Sequence, residues 1–151
     1  MDTPLYEEKQ SFFLRPLFVL IIFAILLWGA WDVHETPLHS VMLIGMAFLS
    51  ALIFWGFSEL RSKVTATEFI FGFPFYKKRI PLDQLTVGGV QRISFGAGVG
   101  IHFWRGSWLY CARFGRGVEI SVDDTKYLIG SDHPEMLQAA LLQRASPRAT
   151  R

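Results

Sequence analysis

Charge is what this sequence has least of. Only 19% of its 151 residues are Asp, Glu, Lys or Arg, where about a quarter is usual in a soluble domain. The shortage is local. Residues 12–57 contain Arg15, Asp32 and Glu35 and no other charge, which is 3 in 46 positions. The other 105 positions hold 25 of the 28 charges, close to an ordinary soluble fraction. A single soluble core is therefore excluded. With 51% hydrophobic residues, disorder as the main state is excluded too.

Cysteine is nearly absent as well. Cys111 stands alone, so no internal disulfide can form, which agrees with a reducing compartment. Lys and Arg are missing between Asp32 and Ser40 but flank both apolar runs, as Lys9, Arg15, Arg61 and Lys63. An Ala-x-Ala site is missing after the first run, which argues against a cleaved leader.

The two apolar runs, 12–31 and 38–57, are 20 residues each, about 30 Å as helix and so about the thickness of a hydrocarbon core. They predict a transmembrane helical hairpin over 12–57. Arg15 near one end can snorkel to headgroups. Basic flanks stay inside, so the expectation is a multi-pass protein of the cell's inner (cytoplasmic) membrane with both termini cytoplasmic. Residues 1–11 read as a cytoplasmic N-terminal segment. Ala47 and Ala51 make a small-xxx-small pair, suited to close contact with the first helix or with a partner's helix. In the short loop, His34, Glu35 and His39 need no metal to explain them, since a loop must be solvated; no metal site is assigned.

After the second run the pattern changes to short β-prone stretches with turn signals, predicting a soluble unit over 63–144 and a basic tail over 145–151. Val64 to Thr67, Glu68 to Phe71, Tyr76 to Ile80, Thr86 to Ser94, Ser107 to Arg113, Gly117 to Val122 and Lys126 to Ile129 read as about seven strands. Asp123-Asp124 reads as a tight turn. Asp132 is a candidate cap, three residues before Glu135, for a closing helix with Met136, Leu137, Ala140 and Leu141 on its apolar face.

The run Gly72-Phe73-Pro74-Phe75-Tyr76-Lys77-Lys78-Arg79-Ile80-Pro81-Leu82 resembles the turn, basic strand and Ile-Pro of bacterial pleckstrin-homology-like domains. So does Gly106-Ser107-Trp108-Leu109-Tyr110 with Gly115-Arg116-Gly117-Val118-Glu119-Ile120. The stretch Leu128-Ile129-Gly130-Ser131 with Pro134-Glu135-Met136-Leu137 is similar to that family's last strand and helix start. The resemblance spans roughly residues 64–142. It implies an all-β bent barrel of about seven strands with one C-terminal capping helix, often fused to transmembrane helices, and it does not imply an enzyme. The first hairpin, Thr67-Glu68-Phe69, lacks the basic residues that inositol phosphate binders place there.

Gly96-Ala97-Gly98-Val99-Gly100 could cradle a phosphate only if a helix followed, and Ile101-His102-Phe103-Trp104 is β-prone instead. His102 and His133 have no carboxylate or nucleophile at a telling spacing. Cys111 in an apolar strand reads as a small buried residue. No catalytic residue and no cofactor is assigned. From Arg61 onward 13 Lys and Arg oppose 7 Asp and Glu, a net charge of +6. Beside an anionic leaflet each basic residue contributes roughly 1 kcal/mol, so membrane lipids rank ahead of nucleic acid as partners, and no nucleic acid is expected. Phe73 and Phe75 around Pro74, followed by Lys77, Lys78 and Arg79, are the candidate contact with a membrane surface or partner. The alternative is that the rings fill the core and the cations line a solvated edge. The functional expectation is a non-enzymatic, membrane-anchored module for protein or lipid-headgroup interaction, with a protein partner or homo-oligomer expected. An accessory or assembly subunit of a larger membrane complex is the alternative.

Overall fold

The computed structural model describes residues 5–12, 15–32 and 37–145, apart from the side chains of Arg15 and Asp32. In chain order the elements are β1 (Tyr6–Ser11), α1 (Arg15–Asp32), α2 (Pro37–Phe57), β2 (Glu59–Val64), β3 (Glu68–Phe73), β4 (Tyr76–Pro81), β5 (Leu85–Ile93), β6 (Gly100–Trp104), β7 (Ser107–Cys111), β8 (Gly115–Val122), β9 (Thr125–Ser131) and α3 (Pro134–Leu142). Short 3₁₀ turns precede β5 and β6. His34, Glu35 and all of the expected tail beyond Ala145 lie outside the described residues.

The β region differs from one seven-stranded barrel. Nine strands form two sheets, ordered β1-β2-β3-β4 and β5-β8-β9-β7-β6. All pairings are antiparallel except β7 with β9. One strand escaped the sequence reading, and another, β6, is β-prone over Ile101 to Trp104 but was not counted among the seven. The expected N-terminal segment contains β1, which pairs along all of β2 from Tyr6 with Val64 to Ser11 with Glu59. The glycine-rich stretch leads into β6. The β unit therefore draws on residues before the apolar runs, and its second strand starts at Glu59; of the expected strand Val64 to Thr67 only Val64 is in it, and Thr65 to Thr67 form the turn into β3.

Alternation explains the core. Phe69, Phe71 and Phe73 face inward from β3, Leu60 and Val64 from β2, and Val118, Ile120 and Ile129 from the opposite sheet. Leu137 and Leu141 on α3 close one end, so a period-3.6 stripe meets two period-2 faces. The far face of the second sheet has its own cluster of Ile93, Ala97, Leu109, Cys111 and Leu128. Hairpin chemistry sets the register. Arg105 and Gly106 both have positive φ between β6 and β7, and Asp123 has φ 52° between β8 and β9, as the expected turn requires. Gly72 has φ +142°, and an added Cβ would strike the Tyr76 carbonyl oxygen, so only glycine fits there.

Asp132 does not cap α3. The residue before the helix is His133, with no side-chain capping bond and Pro134 at the first position. Asp132 instead accepts from Gln10 at 3.2 Å and pairs with Arg113 at 3.1 Å, because β1 brings Gln10 to it.

The helices lie antiparallel: Phe18 stacks on Phe54 with centroids 4.0 Å apart, and Gly29 faces Leu43 and Ile44. Ala47 is buried with Ser40 and Gly56 on α2, so the small-residue face packs within the chain. Among the described residues one helix, Pro37–Phe57, is long and apolar enough to cross a membrane. The apolar part of α1, Pro16–Trp31, is shorter. Only 17% of the apolar window of α2 is buried. The hairpin is the entire connection between two neighbouring strands. Phe12 N–H donates to the Ser58 carbonyl at 2.8 Å, continuing the β1–β2 ladder to the helix bases.

Candidate functional site

Two hollows lie where the β4 edge meets the β6–β7 hairpin below the helices. The larger is a cleft of about 600 Å³. Tyr76 and Lys78 come from β4, Ile101 from β6, Trp108 and Tyr110 from β7, Tyr127 from β9, and Phe57 from the base of α2. The second, about 440 Å³, has Phe12, Phe18, Phe54, Val99 and Gly100 around it and shares Phe57 and Ile101 with the first. An aromatic, partly polar chamber thus adjoins an apolar one that reaches the helix bases. Both volumes are in the range of small-molecule sites.

Strand period places the polar groups. In β4, Tyr76 is opposite Phe73, Lys78 opposite Phe71 and Ile80 opposite Phe69, so these three share the inward face. Lys77 and Arg79 are exposed on the other face. The expected basic cluster is therefore split, because three consecutive strand residues cannot face one surface. Lys78 donates to the Tyr127 hydroxyl and stands 4.3 Å from that ring's centroid. Among the described residues, Lys78 has no carboxylate within ion-pair distance, and no residue lining the cleft is acidic. Tyr110 is buried beneath the cleft. Burial, then its neighbours Tyr76 and Tyr127, push its phenol up to about 12, so it stays a donor at neutral pH.

The two candidate phenylalanines also separate. Phe73 is fully buried, 5.4 Å from the Phe57 ring. Phe75 is 63% exposed and meets Trp55 edge-on at 5.6 Å. The hairpin tip leans on the base of α2, and a Cβ at Gly56 would overlap the Phe75 ring. Tyr76, Trp108, Tyr110 and Tyr127 were not among the sequence candidates. Their signal was the shared strand face: Tyr76 with Lys78, and Trp108 with Tyr110, each two residues apart.

The glycine-rich stretch passes through a 3₁₀ turn, Phe95–Ala97, into a strand, with Ala97 buried against the outer cluster. His102 Nε2–H donates to the Ala97 carbonyl and pins that turn. Among the described residues no group of three His, Cys, Asp or Glu could hold a metal.

Cys111 has no exposed surface, and its thiol donates to the Gly98 carbonyl at 3.2 Å. Burial pushes it up to about 12, outweighing a backbone hydrogen bond from Gly100. A thiol reagent at pH 8 should leave the folded chain unmodified and label it fully in denaturant. Tyr6, Tyr110 and Cys111 are all raised, Tyr6 by burial and then by its hydrogen bond to Glu8. Between their ordinary values and the raised ones the folded chain binds more protons than the unfolded chain. Stability must then fall as pH rises from about 9 toward 12. Thermal melts from pH 8 to 11 should show this fall, and Cys111→Ala should make it shallower. Labelling of the folded chain, or a flat profile, would contradict the burial of these groups.

No family model, curated protein or solved structure matches this chain.

Proposed function

We propose that this chain is a non-enzymatic binding module anchored in the cell's inner membrane, whose pleckstrin-homology-like β unit holds its cleft against the cytoplasmic face to engage lipid headgroups or a protein. The observation that carries the reading is the joint. Both apolar helices emerge from adjacent, hydrogen-bonded strands, β1 and β2, with only Ser58 between α2 and β2. Two helices leaving one sheet edge side by side have their bases at the same level. The β unit and the start of the chain then lie on one side of the bilayer.

The helix surfaces support the anchor. Leu20, Phe23, Val41, Met46 and Phe48 are each more than half exposed. Soluble monomers rarely expose a continuous apolar patch of that extent, whereas lipid covers it without cost. The apolar part of α1, about 24 Å at 1.5 Å per residue, is short for a full span. Phe12 at its base extends the apolar surface, and Trp31, the last residue of that stretch, stands where an indole favours the far interface. The basic flanks orient the pair.

Alkaline carbonate should leave the chain in the membrane pellet. A reporter that is active only outside the cytoplasm, fused after Arg151, should stay silent. Release into the supernatant would remove the anchor, and an active reporter would invert the orientation.

A further inference from the structure

We infer that the composite cleft binds one anionic phospholipid, its phosphate held by Lys78 and the tyrosine hydroxyls and one acyl chain laid along Phe57 into the apolar hollow. The inference rests on the membrane reading and names the ligand for the same cleft. The division of the two hollows points to an amphiphile. One end offers an ammonium and three phenols. The other offers Phe12, Phe18, Phe54 and Val99 and no charged side chain. Phe57 and Ile101 belong to both walls, so one molecule can span them. The apolar end lies at the helix bases, where hydrocarbon begins, and the polar end lies on the β side, at headgroup depth.

Charge decides which headgroup fits. Tyr76, Trp108, Tyr110 and Tyr127 around one cavity would otherwise make an aromatic cage for a quaternary ammonium. Lys78 already stands against Tyr127 inside that cage. A second cation there meets like charge with no carboxylate in the lining to offset it. A phosphate meets an ammonium and neutral phenol donors, all of them groups that strengthen when the partner is anionic.

The test uses the full chain in detergent, loaded with equimolar phosphatidylglycerol and phosphatidylcholine of identical acyl chains and read by native mass spectrometry. One phosphatidylglycerol should be retained per chain, with at least about tenfold preference over phosphatidylcholine. Lys78→Met keeps the aliphatic stem but removes the charge, and should abolish the preference. Lys126→Met makes the same charge change outside the cleft and should leave it intact. Val99→Asp puts a carboxylate at the exposed rim of the apolar hollow, and should lower retention of both lipids while the melting transition persists. Equal retention of the two lipids by the unaltered chain would overturn the proposal, as would a preference that survives Lys78→Met. Loss of preference in Lys126→Met to the same extent would mean diffuse charge and no site. Carbonate release from membranes would sink the anchor whichever lipid the cleft retains, so the two failures are separable.

Discussion

A chain lacking residues 2–11 should lose its cooperative unfolding transition altogether, although the deleted segment is polar and precedes the first apolar run. The segment contains β1, and β1 does three things. It covers the edge of β2 over six paired residues. It inserts Gln10, 2% exposed, whose Oε1 accepts the Ala112 N–H at 3.1 Å while its Nε2 donates to Asp132. It also brings in Glu8, whose carboxylate accepts from Tyr6 at 2.6 Å, from the Ser131 hydroxyl at 2.5 Å and from the Asp132 N–H at 2.6 Å. These bonds tie the start of the chain to the β9–α3 junction, 122 to 124 positions away. Deletion leaves the buried Ala112 N–H and the Ser131 O–H without their acceptors, about 1–3 kcal/mol each. It also uncovers Leu60 and Val64, about 1.5–3 kcal/mol each if fully exposed. The total is on the order of 5 kcal/mol or more, comparable to the whole stability of a small domain. Circular dichroism melts of the detergent-solubilised chain would show it, with Gln10→Leu as the graded control at about 1–3 kcal/mol. A cooperative melt within a few degrees of the full chain would mean that β1 is dispensable. For the same reason a fragment beginning at Lys63 is not a folding unit, since it lacks β1 and Leu60.

β1 illustrates which parts of this fold can be read from the chain. Its inward positions are Tyr6, Glu8 and Gln10, so its own side chains contribute mainly hydrogen bonds, and only Tyr6 packs on the apolar core. A search for alternating hydrophobics finds nothing in Tyr-Glu-Glu-Lys-Gln-Ser. β6 is half hidden: Ile101 to Trp104 are β-prone, but the glycines before them read as a connection. By contrast, β3 and β4 are plain in Phe69, Phe71 and Phe73 and in the glycine and proline of their turn, where periodicity and turn chemistry agree. Asp123 was legible because a positive φ favours Asp. Asp132 was misleading because its capping signal is local and its partner, Gln10, is remote. Of the cleft, the sequence shows only strand-face pairs, Tyr76 with Lys78 and Trp108 with Tyr110. It gathers side chains from α2, β4, β6, β7 and β9, and only the packing of one sheet on the other brings Lys78 to Tyr127. Lys77, Lys78 and Arg79 look like one patch in the sequence, and the pleat assigns them to two faces.

The phenylalanines of the β3–β4 hairpin should separate as sharply in stability as they do in position. Phe71→Ala should cost about 3–5 kcal/mol, the usual range for truncating a buried ring. Phe71 has no exposed surface and touches three rings: Phe69 at 5.0 Å, Tyr110 edge-on at 5.0 Å and Tyr127 at 6.0 Å. It is also directly opposite Lys78 in the ladder. Its removal leaves a void beneath the two phenols that floor the cleft. Close-packed neighbours relax only partly into such a void, so the cost exceeds the transfer energy of the ring alone. For a β unit of this size the melting temperature should fall by roughly 12–40 °C, at about 4–8 °C per kcal/mol. Phe75→Ala removes a ring that is 63% exposed and rests on Gly56 and edge-on against Trp55 at the base of α2. In detergent that change should stay within about 1 kcal/mol. Near-ultraviolet circular dichroism adds a second readout, since loosened Tyr110 and Tyr127 should lose signal in Phe71→Ala and keep it in Phe75→Ala. Equal melting shifts for the two variants would contradict the inward orientation of β3, and with it the floor on which the cleft depends.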